Sequence, residues 1–397
     1  MILLKIVLNV ESAHRKMQNK KLKIFIIAGE VSGDVLGARI MREMPDAEFV
    51  GVGGENMACA GLKPLFPISD LAVMGAIEVL AHARTLTKRI KQTVRAIIEE
   101  KPDVVLTIDS PGFAHSVVSQ IRKSSVGRDL IVRGLRFHHV VAPQVWAWRP
   151  GRAKKYARDF DKLYAFFDFE VPYFTKYGLE TVAVGHPISD GLIGKKLIKT
   201  SEKIVTIIPG SRMSEVKRLM PLFRDVVSGL DADKYKYVIP VVETTREYVT
   251  KCVRDWPVSV EIMDSGTRYD LYAKTYIAIA ASGTVTAELA MLHIPTIVVY
   301  KMNPITIWLA RRVINIRWVS LVNILLGRGV YPELLGADAT SEKVIAEFKK
   351  LTNVSARTKM AHDLAAADNM WSRNGNTPAR IIADNLRLLQ KISIHHV

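Results

Sequence analysis

The sequence predicts an α/β protein built from two doubly wound parallel-sheet domains that face each other across a cleft. Three observations predict it. Short, continuously apolar runs, the mark of strands buried on both faces, alternate with stretches of helical periodicity. That alternation stops near His186-Pro187 and restarts after Ser201. The length of 397 residues exceeds what one ordinary core organises and suits two domains.

The elements follow in order. Lys23 to Ala28 (KIFIIA) is the first buried strand, and a Gly-rich turn, GEVSGDVLG, leads into a helix through Met44. Glu48 to Gly53 reads as a strand and Leu80 to Glu100 as a helix that stops before Lys101-Pro102. Asp103 to Ile108 is a buried strand with Asp109 just past its end, and Leu130 to Val141 and Lys162 to Phe166 continue the pattern. In the second half, Ile204 to Ile208, Tyr237 to Val242, Ile277 to Ala281 and Thr296 to Tyr300 read as strands. Thr377 to Lys391 reads as an amphipathic helix. The expected organisation is an extension over 1–20, a first domain over 21–190, a second over 191–364, and a C-terminal helical region over 365–397. That last region either returns to the first domain or is exchanged in a dimer.

Composition narrows the function classes. Hydrophobic residues at 49% and charged residues at 24% describe a globular chain with material for two cores. The net charge of +17 points to nucleic acid, an anionic membrane surface or phosphorylated substrates. Cys59 and Cys252 are the only cysteines, too few for a disulfide framework or a cysteine metal site, and suit a reduced cytoplasmic protein. Met1 to Val10 is apolar but too short to span a bilayer, and no small-residue cleavage site follows it. It is read as an upstream extension before a start near Met17 rather than as an interfacial anchor. The apolar stretch Tyr276 to Tyr300 is broken by Ser282, Gly283, Thr284, Glu288, His293 and Pro295.

Ligands of doubly wound sheets sit beyond the carboxyl ends of the strands, so the residues after each strand carry the functional reading. PGSRMSEV, Pro209 to Val216, puts a tight turn between a strand and a helix start, whose free N–H groups favour a phosphate. Arg212 adds a planar cation, while Ser214 and Glu215 are alternatively helix caps. ASGTVTAELA, Ala281 to Ala290, repeats the arrangement: Ser282, Gly283 and Thr284 admit close approach, and Glu288, one turn on, suits ribose hydroxyls. Two such turns in one domain point to a nucleoside diphosphate. In the first domain Asp109 of IDSPGF is either a general base for an attacking hydroxyl or the cap of a helix beginning near Phe113. Trp146, Trp148, Arg149 and Arg152 interleave aromatic and basic groups, suited to nucleic acid, a sugar or a membrane interface. The glycines Gly29, Gly33 and Gly37 miss the G-x-G-x-x-G spacing, which excludes a nicotinamide cofactor.

GEVSGD, PQVWAWR, PGSR with Glu215, ASGTVTAELA and VNILLGRGVYPELL, in this order, together resemble the lipid-A-disaccharide synthase family. The resemblance implies a GT-B fold of two Rossmann-like domains. It also implies an inverting transfer of a diacylglucosaminyl unit from its UDP-linked form to the 6-hydroxyl of diacylglucosamine 1-phosphate, with release of UDP. The bond formed is β-1′,6; no metal and no cofactor is implied. By that resemblance Asp109 is the catalytic carboxylate and Arg212 contacts the diphosphate, together with Gly210, Ser211 and Glu215. Ser282, Gly283, Thr284, Glu288 and Asn323 complete the UDP site. Ala114 stands where the family has Asn, Val322 where it has Pro, and Gly329 where Glu or Arg is common.

Both sugars carry acyl chains, so the enzyme is expected at the cytoplasmic face of the inner membrane, drawn there by its charge at about 1 kcal/mol per basic residue near the surface. Phe66, Val73 and Met74, in the apolar stretch Leu65 to Leu80, are the candidate acyl or membrane contacts. Ser32 and Asp34 of GEVSGD, with Trp146, Trp148, Arg149 and Arg152, are assigned to the same acceptor side. The resemblance also admits a homodimer. The competing readings are another UDP-sugar enzyme of the same fold, such as a UDP-sugar 2-epimerase, and a basic nucleic-acid-binding protein. No nucleic-acid-binding module is recognisable, so nucleic acid is not an expected partner.

Overall fold

A computed structural model describes residues 21–71, 76–192, 197–198, 200–301 and 317–395, without the side chains of 76–82 and 390–395. The extension over 1–20, and Val73 and Met74, lie outside the described residues. The chain divides into two compact units. One runs to Pro187 and includes the stretch from Asn376 onward; the other is Ile188–Gly375.

The first unit is a six-stranded parallel sheet in the order β2-β1-β3-β4-β5-β6. Its strands are β1 (Lys23–Ala28), β2 (Glu48–Val52), β3 (Val104–Ile108), β4 (Arg136–Val140), β5 (Lys162–Ala165) and β6 (Glu180–Ala183). Alternate residues of β1 supply opposite faces. Phe25 and Ile27 pack with Val105, Val117 and Phe137 on one side. Ile24 and Ile26 pack with Leu106, Leu36 and Leu386 on the other. Helices named below are α1 (Val31–Glu43), α2 (Glu55–Cys59), α3 (Ala76–Glu100), α4 (Pro111–Lys123), α5 (Ser125–Val132) and α6 (Arg152–Asp159). Leu130 to Val132 end α5, and the strand starts only at Arg136, so the long apolar run of the sequence is a helix end plus a strand.

The second unit repeats the architecture in the order β12-β11-β10-β7-β8-β9. Its strands are β7 (Ile204–Ile208), β8 (Lys236–Val241), β9 (Val260–Asp264), β10 (Thr275–Ala281), β11 (Thr296–Tyr300) and β12 (Glu333–Leu335). Its named helices are α7 (Met213–Ser228), α8 (Glu243–Val253), α9 (Thr284–Met291) and α10 (Leu321–Leu326). The last helix of the chain, α11 (Pro378–His395), packs on α1 of the first unit, with Ile382, Ala383 and Leu386 buried and Arg380 paired to Glu43 at 3.0 Å.

In both sheets the chain reverses its direction of travel at one point, between β1 and β3 in the first and between β7 and β10 in the second. Loops leaving neighbouring strands at such a point part to opposite faces and open a crevice at the carboxyl edge. The sequence motifs sit on these loops.

Candidate active site

In the second unit, Gly210 has φ +101°, a left-handed conformation in which a side chain is strained. A Cβ on Gly210 would lie 2.8 Å from Glu215 Oε2 and 3.7 Å from Ala281 Cβ. The turn after β7 therefore touches the end of β10, and the PGSR and ASGT motifs are neighbours. Arg212 is the N-cap residue of α7, and no side chain caps the helix. Ser214 and Glu215 thus do not cap. The Glu215 carboxylate instead accepts from Arg212 Nη1 at 3.0 Å. With its side chain 78% exposed, Arg212 stays available beside the open helix start. Across the crevice, Ser282 donates its N–H to Val299 O at 3.1 Å, and Gly283 is the N-cap of α9. Gly283 and Thr284 are exposed.

Glu288 is buried and fully oriented. Arg268 donates Nε to its Oε2 at 3.1 Å and Nη2 to its Oε1 at 3.0 Å, and the Tyr269 hydroxyl donates to Oε1 at 3.0 Å. Hydrogen bonding to Glu288 holds the Arg268 guanidinium well above its ordinary range. Arg268 escapes sequence reasoning because it lies in no motif and meets Glu288 only through the fold.

Asn323 is expected from the sequence as a UDP contact, but its amide is spent. Its Nδ2 donates to Tyr331 O at 2.9 Å and Glu333 Oε1 at 2.8 Å, and its Oδ1 accepts from Val330 N and Tyr331 N, both at 2.9 Å. Those four bonds use every donor and acceptor an amide usually offers. Glu333 in turn accepts from Val319 N, Ser320 N and Ser320 Oγ. The direct-contact reading of Asn323 gives way to a positioning one: Asn323 and Glu333 tie the loop to the start of α10.

In the first unit Asp109 and Ser110 follow β3 with φ of +55° and +46°. Val141, just after β4, has φ +84°, where a β-branched residue is a strong outlier. Asp109 and Ser110, with Val141 at the neighbouring strand end, are thus three strained non-glycine positions at one edge of the sheet, the kind of strain that collects at functional sites. The cap alternative for Asp109 does not hold, because Ser110 is the N-cap of α4 and offers no side-chain cap. The Asp109 Oδ1 accepts from Ser110 N at 2.8 Å. Glu30, the N-cap residue of α1, has its carboxyl raised by burial and then by the charge of Asp109, and a Cβ on Gly29 would run into Ser110 Oγ, so the turn after β1 touches the residue beside Asp109.

The acceptor-side residues divide. Ser32 is exposed on α1. Trp148 is 40% exposed, with the guanidinium carbons of Arg149 and Arg152 at 4.5 and 5.1 Å from its ring centroid. Trp146 packs edge-on against Phe169 at 5.4 Å and donates to the buried Glu170 at 3.4 Å. Asp34 is corrected: it is buried and accepts from Gly54 N, Asn56 N, Asn56 Nδ2 and Met57 N. Its carboxylate holds the start of α2 and has no capacity left for a sugar. Phe66 is buried, edge-on to Phe113 of α4 at 6.5 Å and under Arg89 of α3 at 4.7 Å, and it also lines a pocket with Leu65, Pro67 and Ile68.

The two sheet orders and their parallel pairing place the chain in the GT-B class, shared by glycosyltransferases and UDP-sugar epimerases. MurG of Acinetobacter baumannii has the same fold, with a TM-score of 0.60, 14% identity and coverage of 93% of this chain and 100% of that one. The UDP-GlcNAc 2-epimerase of Neisseria meningitidis has a TM-score of 0.58 at 14% identity, covering 92% of this chain and 100% of that one. Sequence comparison separates the two activities. The family model described as lipid-A-disaccharide synthetase matches residues 24–377. The lipid-A-disaccharide synthase of Rhodospirillum centenum is 40% identical over 90% of this chain and 92% of its own length. That of Gluconobacter oxydans is 40% identical over 83% and 81%. The chain belongs to the lipid-A-disaccharide synthase family. It is a glycosyltransferase of bacterial lipid A biosynthesis, and the epimerase and nucleic-acid readings are not favoured.

Proposed function

We propose that the chain transfers diacylglucosamine from its UDP-linked form to the 6-hydroxyl of diacylglucosamine 1-phosphate, with the donor in the second unit and the acceptor in the first. The observation that carries this reading is the pairing of motifs at each chain reversal. PGSR meets ASGT in the second sheet, and the GEVSGD turn meets Ser110, the neighbour of Asp109, in the first. Asp109 takes the proton of the attacking hydroxyl. Arg212 and the open start of α7 receive the charge that grows on the departing diphosphate. Glu288, held by Arg268, faces the ribose, and Gly210, Ser211, Ser282, Gly283 and Thr284 let the backbone approach the nucleotide.

The substrates are lipids, and among the described residues no helix is long and apolar enough to cross a membrane. Peripheral attachment to an anionic inner-membrane surface is part of the proposal, supported by the +17 charge and by the exposed Trp148 with Arg149 against its ring. So is a homodimer, checked by sedimentation.

The test is UDP release from UDP-diacylglucosamine in mixed micelles, with and without diacylglucosamine 1-phosphate. Release that depends on the acceptor supports the transferase. Release indifferent to the acceptor, or a 2-epimer as product, overturns it. Salt-sensitive co-sedimentation with vesicles containing anionic lipid, absent with zwitterionic vesicles, supports the peripheral attachment.

A further inference from the structure

Helix α6 carries two polar side chains, Arg152 and Tyr156, that the described residues leave with little or no hydrogen bonding. The Nε of Arg152 is buried and makes no hydrogen bond among the described residues. Arg152 forms no ion pair there either; its one bond runs from Nη2 to Trp148 O at 3.4 Å, a weak contact. Further along the helix Arg158 pairs with Asp159 at 2.7 Å, and Asp159 also meets His115 at 2.7 Å, while Lys154 and Lys155 are exposed. A guanidinium with a buried, unpaired N–H is costly unless an anion completes it.

Tyr156 lies one helical turn further along the same face. Its ring is locked edge-on by His115 at 4.5 Å and His139 at 5.2 Å, with Phe160 and Phe174 at 5.6 and 6.2 Å. His115 stands on α4, the helix that follows Asp109, and His139 on β4, which pairs with β3. The residue is only 3% exposed, and among the described residues no protein group bonds its hydroxyl, which is not one of the fully buried, unpartnered polar atoms and so reaches the surface. The charges acting on it are those of Arg152 and Asp109, so all three groups share one locality.

We propose that this face of α6 is the subsite for the acceptor's phosphorylated sugar, Arg152 taking the phosphate and the Tyr156 hydroxyl bonding a sugar hydroxyl beside Asp109. The planar fork of Arg152 suits phosphate oxygens, and stacking on Trp148 holds it in place. Side chains one turn apart have Cβ atoms about 6 Å from each other, a separation a single hexose bridges. The proposal rests on the reading of Asp109 as the base for the acceptor hydroxyl.

The experiment compares kcat/KM for diacylglucosamine 1-phosphate and for diacylglucosamine lacking the phosphate, in wild type, Arg152→Gln and Tyr156→Phe. Wild type should prefer the phosphorylated acceptor strongly. Arg152→Gln should bring that preference down at least tenfold with UDP affinity unchanged, and Arg152→Lys should restore part of it. Tyr156→Phe should lower kcat/KM on both acceptors about tenfold, as loss of one hydrogen bond to substrate does. A preference left intact in Arg152→Gln, or Tyr156→Phe indistinguishable from wild type, overturns the corresponding half. Melting temperatures confirm that each variant is folded. Asp109→Asn, run alongside, separates the failures: an active Asp109→Asn sinks the base, while the phosphate preference still reports on Arg152.

Discussion

The two chain reversals solve different chemical problems with the same sheet topology. In the second unit the crevice is built from small residues and an uncapped helix start, with an exposed cation at its mouth. In the first it is built from carboxylates, and the backbone that presents them is strained: Asp109, Ser110 and Val141 all have positive φ. Backbone N–H groups and an exposed arginine accommodate an anion at little cost. A base must be aimed, and aiming a short side chain off a strand end costs backbone strain. A shared topology thus dictates where the sites lie, and the residues after each strand dictate what each does.

Asp109→Asn tests the first crevice most severely. It keeps the shape and removes the proton acceptor, so kcat should fall about 10³-fold while UDP binding stays unchanged. Arg212→Ala tests the second. Its kcat should drop about 10²-fold and, in contrast, calorimetry should show weaker UDP binding. If both variants changed UDP affinity alike, the division of labour between the units would fail.

The two buried polar staples provide a matched pair for stability. Asp34→Ala in the first unit and Asn323→Ala in the second each strand several backbone N–H groups, for an expected loss of about 3 kcal/mol in denaturant unfolding. A loss below ~1 kcal/mol would show that water replaces the staple.

The smallest expected effect concerns pH. Burial pushes the Glu170 carboxyl from the ordinary 4.5 up to about 7, against the pull of Phe167 N–H, the Trp146 indole and Phe166 N–H. The folded protein therefore keeps a proton that the unfolded chain releases. Stability from this group is complete below pH 4.5 and is lost as pH rises through 7, by roughly 3 kcal/mol. Glu170→Gln should flatten that decline in unfolding free energy relative to wild type. An unchanged pH dependence would remove Glu170 from the account. Buried His138 and His139, both depressed to about 3, act with the opposite sign and are common to both proteins compared.

Much of this was readable from local sequence. Buried parallel strands announce themselves as continuous apolar runs, as KIFIIA and IVTII do, and the residues just beyond them are where doubly wound sheets bind ligands. Three of the four edge strands, β6, β9 and β12, were not readable, because their residues are only partly buried or exposed, whereas the fourth, β2, ends in the buried pair Gly51 and Val52. Asp34 was misread for a related reason. A carboxylate serves a sugar or a set of backbone N–H groups, and only the fold, by bringing the start of α2 against Asp34, decided between them. The same holds for Arg268, which is 20 residues from Glu288 in sequence yet forks its carboxylate. Sequence determined the class of fold, the family and the turns that carry chemistry, since these depend on near neighbours along the chain. Tertiary structure decided which polar groups are spent on the protein itself and which, like Arg152 and Tyr156, are left for a ligand, since hydrogen-bond partners are assigned in space.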